Sequence, residues 1–273
     1  MVRSVWIQRL RETAPRVHCL TNPVTMQDVA NVLLAAGGSA IMGQERREVQ
    51  ELTALCQATL LNLGVPDGTK LESCRLAGQR ANELGHPVIL DPVGVGASRF
   101  RRDALRKLGE QVRPSLIRCN QEEACVLLDQ GSGASGGVES GVELEGEAQL
   151  LQADQLARRY GCAVLISGKS DAVSDGTRRE LLTGGDQRMR RITGSGCMLS
   201  ALCALFAGAG LTPYEAACAA GSLWKKSARI AGQKTDRMQE GTGSFHRYLF
   251  DAVDRLCCGD PEQAAEDQKE EDT

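Results

Sequence analysis

The stretch RITGSGCMLSALCALFAGAG, residues 191–210, runs a Gly-Ser-Gly turn straight into a long apolar segment, with Cys197 at the junction. Where a turn opens a helix, the first amide N–H groups have no intrahelical acceptor and attract anions. Gly194, Ser195 and Gly196 therefore read as a cradle for a phosphoryl group, with the Cys197 thiol beside it. Two acids elsewhere, Asp91 in VILDPVGVG and Glu123 in LIRCNQEE, are hard oxygen donors of the kind that suit Mg²⁺. Arg118 offers a planar fork for phosphate oxygens, and Ser167 and Asn120 carry groups that can hydrogen-bond a nucleotide. Phosphoryl transfer asks mainly for positioning and charge neutralisation, so this inventory suffices without a catalytic histidine. Each residue also has a plain structural reading. Asp91 can cap a turn, Glu123 can favour a helix start, Arg118 can pair on the surface, and Cys197 can simply pack.

Positioning those groups requires elements that end on one rim. Short apolar runs at 17–20, 39–42, 58–64, 87–91, 115–118 and 163–167 read as strands. Helical patterns at 25–36, 45–56 and 69–84 separate the first four, and a short amphipathic helix precedes them all. Such alternation calls for a mostly parallel sheet covered on both faces. The dipeptide Asp175-Gly176 between two short extended runs predicts an antiparallel hairpin. Helices are expected at 197–209, 213–231 with Pro213 in its first turn, and 244–256. In an open parallel sheet, ligands bind beyond the carboxyl ends of the strands. Nearly every expected strand releases a polar residue there: Asn22, Asn62, Asp91, Arg118 with Asn120, and Ser167.

Composition narrows the partners. The chain has 273 residues, 42% hydrophobic and 25% charged, which suits one α/β domain. Aromatics at 3% and a net charge of −3 leave no footprint for nucleic acid or an acidic membrane. No secretion signal or spanning segment is expected, and eleven scattered cysteines without a C-x-x-C spacing imply reduced thiols in the cytoplasm rather than a zinc site. The glycine- and glutamate-rich stretch 131–147 reads as a flexible insertion within a single domain, 1–258. Residues 259–273 read as a disordered acidic tail.

Four motifs in unbroken order, VHCLTNPVTMQDVANVLLAAGGSAIM, VILDPVGVGAS, LIRCNQEE and RITGSGCMLSA, resemble the hydroxyethylthiazole kinase family of the ribokinase-like superfamily. The resemblance implies a three-layer α/β/α fold and ATP-dependent phosphorylation of 4-methyl-5-(2-hydroxyethyl)thiazole in thiamin salvage, with Mg²⁺. It implies a homotrimer with active sites at subunit interfaces. Carried over by motif, Met42, Gly194 and Asn22 lie on the substrate side, Arg118 and Ser167 contact ATP, and Asp91 and Glu123 serve metal and phosphates. Cys197 stands where superfamily relatives mostly carry an aspartate, which suggests a modest base or a positioning group. A helix N-terminus lowers a thiol pKa, so some thiolate is expected near neutrality. Ser195 replaces the family's usual threonine and Cys119 its usual glycine, and the latter is expected to crowd Arg118.

Overall fold

The computed structural model describes residues 3–129 and 144–259. Six parallel strands, β1 (Arg16–Leu20), β2 (Ser39–Ile41), β3 (Ala58–Asn62), β4 (Val88–Asp91), β5 (Leu116–Asn120) and β6 (Ala163–Ser167), form most of one sheet. The hairpin β7 (Asp171–Ser174) and β8 (Arg179–Leu182) adds two antiparallel strands, giving the order β2-β1-β3-β4-β5-β6-β7-β8. The expected hairpin turn is there. The Asp175 carboxylate accepts from the amides of Thr177 and Arg178 at 2.9 and 2.7 Å, and these bonds hold its pKa well below the carboxylate range.

Strand alternation sends successive side chains to two separate cores. Leu60, Ile89, Leu116 and Leu165 face α1 (Ser4–Thr13), α2 (Met26–Ala35), α8 (Ser195–Gly208), α9 (Pro213–Arg237) and α10 (Thr242–Cys258). Leu61, Leu90, Ile117 and Ile166 face α3 (Val49–Ala54), α4 (Gly68–Leu84), α5 (Arg99–Gly109), α6 (Gln121–Asp129) and α7 (Glu147–Tyr160). This is the expected three-layer α/β/α architecture. α8 is buried from Cys197 to Ala207 on every side, as befits a helix apolar all round. Thr212 and Glu215 close a reciprocal capping box at the start of α9, with Pro213 at its first position.

Several boundaries differ from the sequence reading. The helix expected at 45–56 is only α3, because Glu45 bonds the Arg47 amide and Gln44 reaches across to the Thr21 carbonyl at 2.8 Å. α9 runs on to Arg237, beyond the expected end, where Gly232 packs closely on Asp186. The helices α5 and α7 were not read from sequence. Residues 144–147 of the expected flexible stretch are ordered: Leu144 exchanges two hydrogen bonds with Gln121, and Glu147 opens α7. The remainder of that stretch, 131–143, and tail residues 260–273 lie outside the described residues.

Candidate active site

The polar rim forms where the α8-facing stripe of each strand ends. Two residues beyond the core-facing Leu60, Ile89, Leu116 and Leu165 come Asn62, Asp91, Arg118 and Ser167, all on the same face. Parallel register places Asn62 opposite Asp91 and Asn120 opposite Ser167. Cys119 therefore points the other way, into the second core, and does not crowd Arg118.

The start of α8 is laid across this rim. Gly194 has φ +80°, and a Cβ there would lie 2.4 Å from Thr25 Cγ2. A Cβ on Gly196 would lie 2.3 Å from Arg118 Nη1, so the guanidinium rests directly on the first turn. The Cys197 sulfur accepts from Asn62 Nδ2 at 3.2 Å and Asn22 Nδ2 at 3.6 Å. Asn62 Nδ2 also donates to Asp91 Oδ2 at 2.8 Å, and Ser200 Oγ, one turn beyond Gly196, donates there at 2.8 Å. Arg118 Nη1 stands 3.7 Å from Asp91 Oδ1, while Nη2 donates to Ser167 Oγ. Asn22, Asn62, Cys197, Asp91, Ser200, Arg118 and Ser167 thus form one continuous polar chain. Asn62 and Ser200 are its members that sequence reasoning did not select. Asn62 was visible as a polar strand end, whereas Ser200 is hidden in the pattern of a buried helix.

Electrostatics separate the groups. Burial pushes the Asp91 carboxyl above its ordinary range and nearby Glu123 adds to this, against the lowering pull of Arg118. Burial, then Asp91, raises the Cys197 thiol, outweighing Thr25, Arg118 and Asn62. Desolvation and the Asp91 charge thus work against the thiolate that the helix start was expected to favour. A guanidinium and a helix N-terminus, both positive, converge on one point. Asp91 Oδ1 and Arg118 Nε are buried with no hydrogen-bond partner. Such groups are costly unless something completes them, and a phosphate with its cation supplies both an acceptor for the arginine and a charge for the carboxylate.

Glu123 serves the rim differently. Its two oxygens accept from Gly94 N at 2.8 Å and Asn120 N at 2.9 Å, while Asn120 Oδ1 accepts from Glu123 N at 2.8 Å. This reciprocal cap fixes the glycine turn after β4 beside the start of α6. Lone pairs remain on the carboxylate for a cation's water, and the Asn120 amide nitrogen remains for a ligand. Met42, just past β2, is half-buried against the α8-side core. No group of three or more histidine, cysteine or acidic residues that could hold a metal occurs among the described residues. Two carboxylates on one rim fit an ion that arrives with phosphates and keeps its waters, as Mg²⁺ does.

The hydroxyethylthiazole kinase family model matches residues 7–258. The chain belongs to that family. A hydroxyethylthiazole kinase from Lysinibacillus sphaericus is 37% identical over 252 residues, covering 91% of this chain and 95% of the relative. The structure of a hydroxyethylthiazole kinase protein from Pyrococcus horikoshii superposes with a TM-score of 0.81 at 31% identity, covering 92% of each chain. A ribokinase-like superfamily protein from Enterococcus faecalis shares the fold, with a TM-score of 0.58 at 11% identity over 91% of this chain and 89% of its own. Hydroxyethylthiazole kinase family membership and a ribokinase-like fold agree with the motifs that carried the resemblance.

Proposed function

We propose that this protein transfers the γ-phosphoryl group of ATP to the hydroxyl of 4-methyl-5-(2-hydroxyethyl)thiazole, a step in thiamin salvage. The observation that carries the reading is the incomplete acid–base pair Asp91–Arg118 lying under the first turn of α8, one amide away from Cys197. Family membership supplies the substrate class. Asn22, Met42 and Gly194 take the thiazole side. Arg118, Ser167 and Asn120 take the nucleotide, with Ser167 holding the guanidinium in place. Gly194 and Gly196 present backbone amides to the transferred group and let Thr25 and Arg118 pack directly on the turn, while Ser195 closes it, its amide donating to the Ile192 carbonyl at 3.3 Å. Asp91 and Glu123 would hold Mg²⁺ or its waters, and the ion would neutralise charge on the phosphates. The transition state of such transfers is loose, so the attacking alcohol need not lose its proton early. A neutral Cys197, fixed by two asparagine amides, fits the role of orienting that hydroxyl better than that of a strong base.

The same reading includes a single domain spanning 1–258, a cytoplasmic setting and a homotrimer with active sites at subunit interfaces. All eleven cysteines are free. Among the described residues no helix is long and apolar enough to cross a membrane. The β2 edge of the sheet, Ser39 to Ile41 and on to Met42, is half-exposed and apolar, which suits a subunit contact beside the site. The test is ADP release from ATP and Mg²⁺ with the thiazole alcohol, with pyridoxal and with hydroxymethylpyrimidine. Turnover with the thiazole at least about 100-fold above the other two is expected. Equal or greater turnover with either rival overturns the assignment.

A further inference from the structure

The loop joining β3 to α4 concentrates unfavourable choices in a few residues. Val65 has φ +48°, a left-handed conformation that a β-branched side chain adopts only under constraint. Its side chain is half-exposed at the carboxyl rim. Lys70, in the first turn of α4, is buried, and burial pulls its pKa down; a cation there also opposes the helix dipole. Lys70 Nζ donates to the Gly64 carbonyl at 2.5 Å, so the buried ammonium pins the peptide that leads into Val65. Gly64 N in turn donates to Asn62 Oδ1 at 2.9 Å, and Asn22 Nδ2 donates to that same oxygen at 3.1 Å. A Cβ on Gly64 would lie 2.9 Å from Asn62 Oδ1 and 3.0 Å from Asn22 Nδ2. Gly64 is therefore held at both of its peptides, at its carbonyl by Lys70 and at its N–H by the asparagine pair that holds the Cys197 sulfur. A fold gains nothing from a strained valine fixed by a buried lysine on a surface loop; a site that needs an apolar wall at that place does.

We propose that Lys70 is a positioning residue and Val65 a specificity-determining one. Lys70 clamps the Gly64 carbonyl so that the Val65 side chain stands as an apolar wall on the acceptor side of the thiol, against the ring of the alcohol substrate. The nucleotide side, built from β5 and β6, does not share this loop. The inference rests on the proposed phosphorylation of the thiazole alcohol and deepens it. Val65→Gly relieves the left-handed strain and removes the wall, and Lys70→Met keeps the aliphatic stem and removes the clamp. Each is expected to raise KM for the thiazole alcohol about tenfold, with KM for ATP within about twofold of wild type. Val65→Gly is also expected to keep the wild-type melting temperature, so it carries the test even if Lys70→Met fails to fold. Unchanged thiazole KM in a folded Val65→Gly protein overturns the proposal, as does an ATP KM that rises equally. A wild-type protein inert toward the thiazole alcohol overturns this inference and the activity reading together. An active wild type with insensitive variants overturns this inference alone.

Discussion

Two buried acid–base pairs lie on the α8 side of the sheet, and they are finished differently. In the β6–β7 turn, Lys225 Nζ donates to Asp171 Oδ1 at 3.0 Å and to the carbonyls of Gly168 and Lys169 at 2.8 and 2.9 Å. Asp171 Oδ1 also accepts from Gly168 N at 3.0 Å, so the three donors of the ammonium are engaged and neither side chain leaves a buried polar atom without a partner. At the rim of β4 and β5, Arg118 and Asp91 stand 3.7 Å apart, with Asp91 Oδ1 and Arg118 Nε unbonded. A completed pair holds a turn; an incomplete one is a place for a ligand. Burial raises both aspartates, so the raised pKa does not tell the two apart. The hydrogen-bond inventory does.

That contrast can be broken most directly by the same substitution in both places. Asp91→Asn should lower kcat about 1,000-fold, since a charge aimed at the transferred group is lost. Asp171→Asn should leave kcat of the folded protein near wild type and cost about 3 kcal/mol of stability, because it strands the buried Lys225 ammonium. Urea unfolding and single-turnover kinetics on both variants would show it. The contrast fails if Asp171→Asn is inactive while fully stable, or if Asp91→Asn keeps its turnover.

A smaller effect sharpens the role of the thiol. Cys197→Ala should reduce kcat about tenfold with KM for ATP unchanged, as expected for a group that orients the alcohol. Because the thiol is raised rather than lowered, kcat of the wild type should show no thiolate-like rise from pH 7 to 8 that the alanine variant lacks. A rise abolished only by Cys197→Ala would make the cysteine a base. The smallest effect concerns pH and a finished polar group remote from the transferred phosphate. His18 lies 2.8 Å from the Gly43 carbonyl and 2.9 Å from Thr53 Oγ1, and burial holds its pKa below the ordinary value. Protons bind the unfolded imidazole first, so stability present above about pH 6.5 should be lost as pH falls below it. Urea midpoints at pH 7.5 and 5.5 should differ more in the wild type than in His18→Gln. Equal differences would show that His18 does not resist protonation.

Much of this was legible in the chain itself. Strand ends at Asn62, Asp91, Asn120 and Ser167 coincide with the last strand residues because β-branched and leucine runs stop where a polar side chain must leave the core. The turn at Gly194 and the helix after it followed from glycine and an unbroken apolar run. The helices α5 and α7 were missed although α5 carries a Ser98 cap, since no polar motif drew attention to them. Asn120 and Glu123 were chosen as ligands from a run that equally spells a reciprocal helix cap, and the structure uses them at least as that cap.

The sequence by itself determined the fold class, the rim and its chemical inventory, because periodicity and residue type act locally. Only the tertiary structure decided what each group is free to do. Glu123 is tied to two backbone amides, and Asp91 keeps an unpaired oxygen. Burial raises the Cys197 thiol, Cys119 turns away from the site, and Lys70 is buried on the Gly64 carbonyl. Burial and the partners brought by neighbouring strands set solvation and hydrogen bonding, and no window of local sequence contains those partners.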